Sequence, residues 1–180
     1  MFYPDVPVKF LYIYGVYQPL FSNLSKSIPR FTLHEGLPEE AYLNAYLNGE
    51  PCLIIIDDLA DEALNDPNVL SLFVRGCHHR NATVILINQN LYHQGKHACT
   101  VALNASYLIL FKNVRDVGQI NCLGAQLFPR NKNVLVDAYN DCMKEFRSYL
   151  VLDLTADIED CYRIRTKVLP GDHCIVYQVL

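Results

Sequence analysis

Leu53-Ile54-Ile55-Ile56-Asp57-Asp58 places four apolar residues directly ahead of two carboxylates. Starting at Cys52, this run reads as a strand covered on both faces, with its charges just past the carboxyl end. Upstream, Lys9 to Tyr14 is another apolar and aromatic strand, ended by Gly15. Pro19 opens a short helix through Leu20, Phe21 and Leu24, and Phe31 to His34 forms a second short strand before Gly36. Pro38 starts a helix in which Ala41, Tyr42, Ala45 and Tyr46 share a face, closed by Asn48-Gly49.

Downstream, Pro67 begins a helix striped by Val69, Leu70, Phe73 and Val74, and Ala82 to Ile87 is a third buried strand ending in Asn88-Gln89-Asn90. A strand over Tyr107 to Phe111 follows, then helices from about Arg115 to Leu127 and Val134 to Phe146. Tyr149 to Leu152, Tyr162 to Val168 and Cys174 to Val179 are strand-like, so an antiparallel hairpin ends the chain. Strands alternating with helices predict an α/β fold, a mainly parallel sheet with helices on both faces, whose ligands gather at the carboxyl ends of the strands.

With 180 residues, 51% of them hydrophobic, the chain suits one domain over residues 1–180. A net charge of -4 argues against gripping nucleic acid by bulk positive charge and leaves only local contacts. The seven cysteines form no C-x-x-C pair and sit among apolar neighbours, the usage of reduced thiols in an intracellular protein. Cys52 and Cys174 read as small core residues. The opening Met1-Phe2-Tyr3-Pro4-Asp5 does not resemble a secretory signal, and no apolar run is long enough to span a membrane, so a soluble protein is expected.

Two carboxylates after an apolar strand match the Walker B pattern, in which one carboxylate anchors magnesium and a neighbour polarises water. Magnesium takes hard oxygen ligands and keeps several waters, so Asp57 alone suffices as its protein anchor, and Asp58 is placed to orient the attacking water. The plainer alternative is that both aspartates cap the following helix. At the end of the next strand, Gln89 can donate to a γ-phosphate and accept from water without adding charge. A simple polar turn is the alternative there.

In this order the elements resemble the FtsK/HerA group of P-loop ATPases, above all the packaging ATPases of Maverick/Polinton elements and related large DNA viruses. The resemblance runs almost end to end. It rests on Tyr14-Gly15-Val16-Tyr17-Gln18-Pro19-Leu20, Glu35-Gly36-Leu37-Pro38, Leu53 to Leu59, Leu72 to Asn81, Gln89 to Gln94, Leu103-Asn104-Ala105 and Leu110 to Asp116. It implies an ASCE-type P-loop NTPase sheet, Asp57 on the magnesium side, Asp58 in place of the more usual catalytic glutamate, and Gln89 as sensor. It also implies a self-assembled ring that drives double-stranded DNA, in which an arginine reaches the neighbouring subunit's nucleotide. Arg80 and Arg115 are the candidates.

One departure is large. No stretch reads G-x-x-x-x-G-K-[ST], and the lone Gly95-Lys96 pair is followed by His97. That loop supplies the amides, lysine and hydroxyl that bind ATP and magnesium, so the chain alone is expected not to hydrolyse ATP. Against the family, the first strand, the loop and the following helix are missing together. That strand lies in mid-sheet, so its absence predicts two inner strands with unpaired backbone and exposed apolar faces. Three explanations stay open: a fragment or degenerate copy, a sheet closed over the gap, or another chain supplying the strand. A non-catalytic module binding partner subunits or nucleic acid is the competing function.

Cys77, His78, His79, His93, His97 and Cys99 crowd two segments but match no established zinc spacing. Arg163, Arg165 and Lys167 alternate with Tyr162, Ile164, Thr166 and Val168, so one strand would carry three cations on one side, a weak candidate DNA-phosphate face.

Overall fold

The structure is a computed structural model and describes residues 9–76, 81–115 and 117–178. Two compact units are present, Met1–Asn104 and Ala105–Leu180. The first is built on a parallel sheet of four strands in the order β2-β1-β3-β4: β1 Lys9–Tyr14, β2 Phe31–Glu35, β3 Cys52–Asp57 and β4 Ala82–Leu86. The helices are α1 Leu20–Ser27, α2 Glu40–Tyr46, α3 Ala60–Ala63, α4 Pro67–Ser71 and α5 Ala98–Leu103, with a single π-helical turn over Leu72–Gly76.

Strand alternation sorts this sheet into two faces. Leu11 and Ile13 of β1, Cys52, Ile54 and Ile56 of β3 and Ala82 of β4 enter a core with Leu43 and Leu47 from the α2 segment and Val69 and Leu72 after α3. On the opposite face Tyr12 and Tyr14 pack on Phe21 of α1, each with ring centroids 5.0 Å away. Helices therefore lie on both faces of this sheet. The second face is covered over β1 and is open at β4, where Ile85 is 39% and Ile87 45% exposed. The sequence reading of a buried third strand is corrected there: β4 is a sheet edge.

The second unit is antiparallel, in the order β5-β6-β7-β8: β5 Tyr107–Phe111, β6 Tyr149–Asp153, β7 Ile164–Thr166 and β8 Ile175–Tyr177. Two helices, α6 Gly118–Leu127 and α7 Asn133–Cys142, connect β5 to β6. Where a terminal hairpin beside a parallel sheet was expected, a whole four-stranded antiparallel sheet is found, and β5 belongs to it. Tyr139 of α7 explains how β5 is tied down: its hydroxyl donates to Phe111 O (3.0 Å) and accepts from Asn113 N (2.8 Å). Leu135, Leu150, Leu152 and Ile164 fill the core of this unit. Cys52 is buried as expected, whereas Cys174 is exposed and not a core residue.

Candidate functional site

At the carboxyl ends of β1, β3 and β4, the chain returns to three polar turns. Asp57 is the last residue of β3, in register with Tyr14 of the parallel neighbour β1. One carboxylate oxygen is already held, since Tyr12 Oη donates to Asp57 Oδ2 at 2.7 Å. Burial, and then this bond to the carboxylate, push the Tyr12 phenol well above its ordinary pKa, so it remains a donor at any physiological pH. Its ring is fixed by Phe21 at 5.0 Å and Phe31 at 6.0 Å.

Asp58 is exposed and adopts φ of 57°, a left-handed conformation that aspartate tolerates better than most residues. The turn is set by a close backbone approach. Gly15 N donates to Asp57 O at 3.1 Å, and a Cβ on Gly15 would lie 2.4 Å from Asp58 O. Only glycine fits between the turns that follow β1 and β3.

Beyond β4, Ile87 N continues the ladder to Ile56 O at 2.9 Å, so the chain leaves the sheet beside Asp57. Asn88 Oδ1 then accepts from Asn90 N and Asn90 Oδ1 from Tyr92 N, each at 3.0 Å, two successive Asx turns that leave Gln89 exposed at the bend. The rest of this loop is anchored on the segment after β3. His93 Nε2 and Asp61 Oδ1 are 2.6 Å apart, Lys96 N donates to Asn65 Oδ1 at 2.9 Å, and His97 N donates to Leu64 O at 2.9 Å. Gly95 has no room for a side chain against Leu64, whose Cβ would be 2.8 Å away.

Asp57, Asp58 and Gln89 thus share one end of adjacent strands. Arg80 lies outside the described residues, as do Cys77, His78 and His79. Arg115 belongs to the second unit, exposed in the turn before α6, with its backbone N bonded to Asn113 Oδ1 at 3.0 Å. The three cations of the suggested DNA face are each committed to a carboxylate within their own unit. Arg163 bonds Asp160 at 2.8 Å, Arg165 pairs with buried Asp153, and Lys167 bonds Glu145 at 2.8 Å. Moreover β7 covers only Ile164–Thr166, so Arg163 and Lys167 flank the strand rather than ride on it.

Among the described residues no group of three or more His, Cys, Asp and Glu side chains could hold a metal ion. Asp57 and Asp58 offer oxygen donors only, a set that suits magnesium as a minority protein contribution to a largely water and phosphate shell. Sequence reasoning missed Tyr12 and the role of Gly15. Tyr12 is half-buried and its partner Asp57 lies 45 residues away in the chain on the paired strand, so no local pattern marked it. No helix among the described residues is long and apolar enough to cross a membrane. Comparison with models of known families, with curated proteins and with solved structures returned no match.

Proposed function

We propose that this chain is the magnesium-side and sensor portion of a P-loop ATPase core of the FtsK/HerA packaging type, completed by a strand, phosphate-binding loop and helix from outside these residues. The observation that carries this reading is the outer edge of β4, unpaired among the described residues, flanked by uncovered Ile85 and Ile87 and ending beside Asp57, Asp58 and Gln89. Parallel strands are ordinarily covered on both faces. A right-handed strand–loop–helix unit laid against β4 would pair its strand with that edge and cover the isoleucines with its helix. Its loop would then sit at the carboxyl end of the sheet, where nucleotides bind in such folds.

In the completed site Asp57 would offer a carboxylate oxygen to magnesium, with Tyr12 holding the other oxygen in place. Magnesium, when bound, neutralises charge on the phosphates. Asp58 would orient the attacking water, Gln89 would contact the γ-phosphate, and Arg80 or Arg115 would act across a ring of subunits that translocates double-stranded DNA. Because the sequence has no G-x-x-x-x-G-K-[ST] loop, we expect the chain alone not to hydrolyse ATP.

Calorimetry of magnesium-dependent ATP binding tests this, on the chain alone and with a polypeptide carrying a P-loop strand and helix. Binding only on complementation is the expected result. Binding by the chain alone would remove the need for the missing loop, and no binding in either case would favour the non-catalytic module.

A further inference from the structure

In the second unit, the end of β5 and the turn between α7 and β6 enclose an open recess of about 400 Å³, between Phe111 and Lys112 on one side and Lys144 to Ser148 on the other. Two features of its wall bear on what it could hold. Phe111 is 66% and Phe146 87% exposed, so two benzyl rings face solvent at one site. The cations there are unequal. Lys144 is paired with Asp141 and Glu145 with Lys167, which cancels those charges locally. Lys112 and Arg147 have no carboxylate partner among the described residues, in a chain whose net charge is -4. Arg147 instead lies over the Phe146 ring, its guanidinium carbon 4.9 Å from the centroid, on a left-handed backbone with φ of 56°.

We infer that this recess binds a single strand of nucleic acid, with a base stacked at Phe146 and backbone phosphates on Lys112 and Arg147. A nucleic-acid strand repeats a flat ring and an anion at each unit, which matches exposed rings interleaved with cations that have no carboxylate partner among the described residues. An acidic peptide would satisfy the cations and leave the rings in water. A duplex keeps its bases stacked inside and offers none to Phe146. The inference stands apart from the nucleotide site, since no residue of the recess belongs to it, and it places nucleic acid elsewhere than on Arg163, Arg165 and Lys167.

The test is fluorescence anisotropy of a labelled oligothymidylate titrated with the full chain, in the absence of ATP and across a salt series. Saturable binding that weakens with salt is expected. Phe146→Ala should weaken it about tenfold with little change of salt slope. Joint Lys112→Ala and Arg147→Ala should lower the slope of log affinity against log salt by about 1.4, roughly 0.7 for each phosphate of a single strand left without its cation. All three side chains are exposed, so circular dichroism should show unchanged folding. No saturable binding at low salt, or binding indifferent to both variants, would overturn the inference. So would an equal loss of duplex binding in the same two variants, or equal binding of poly-glutamate.

Discussion

Asp57 is where chemistry and packing meet at the scale of single residues. Its carboxylate ends an apolar strand, and the neutral phenol of Tyr12 holds one of its oxygens without contributing charge. A hydrogen bond to a charged acceptor of this kind is worth about 1.5–3 kcal/mol, or roughly ten- to a hundredfold in affinity. Tyr12→Phe is therefore expected to weaken magnesium-dependent ATP binding of the complemented chain by up to that factor and to lower the thermal midpoint at neutral pH. Unchanged binding would strip Tyr12 of its positioning role. The same phenol links stability to alkaline pH. Its folded pKa lies above the ordinary 10.0, first through burial and then through Asp57, so its contribution is complete below pH 10 and is lost as pH rises beyond it. The alkaline unfolding limb of Tyr12→Phe should accordingly be shallower. The strand-end positions of Asp57, Asp58 and Gln89 were legible because each lies within two residues of the end of an apolar run. Tyr12 and Gly15 were not, because their roles arise from the pairing of β1 with β3, strands far apart in the chain, which local pattern does not encode.

Elements were read well where local chemistry decides them. Asp66 caps α4 through Asn68 N (2.6 Å) and Val69 N (3.1 Å), with Pro67 at the first helical position, as the proline signalled. Asp66→Ala should cost about 1 kcal/mol, seen as a lower urea midpoint with unchanged slope. In α2 the helical spacing of Ala41, Tyr42, Ala45 and Tyr46 did not tell which face is buried. Leu43 and Leu47 of that segment are buried, Tyr46 is half-buried against the same core, and Tyr42, stacked on it at 6.3 Å, is exposed. Tyrosine serves equally in a core and at its rim, so an aromatic pair four residues apart does not by itself reveal which face is buried. Tyr46 also covers the buried Lys9 ammonium, 4.6 Å from its ring, while Lys9 Nζ donates to Asn48 Oδ1 at 2.6 Å. β5 was recognised as a strand but not as antiparallel, since five apolar residues carry no information about partner or direction.

At the scale of the molecule, the open edge of β4 is a liability as well as the proposed docking site. Backbone that is unpaired among the described residues, beside Ile85 and Ile87, can template pairing with other chains. Light scattering should show association that rises with concentration, and Ile85→Lys should suppress it with a stability change within about 0.5 kcal/mol, as expected for an exposed position. The same variant should abolish complementation by the strand and P-loop polypeptide; intact complementation would move the partner to another edge. From the sequence alone came the α/β class, the principal strands and helices, and the carboxylates and amide at the strand ends, because periodicity and turn residues act over a few positions. Only the tertiary structure decided that the strands divide into a parallel and an antiparallel sheet, that β4 is an edge, that Arg163, Arg165 and Lys167 are paired internally, and that Tyr12 holds Asp57. Those outcomes depend on which distant segments meet, and that is set by burial and hydrogen-bond satisfaction summed over each whole unit.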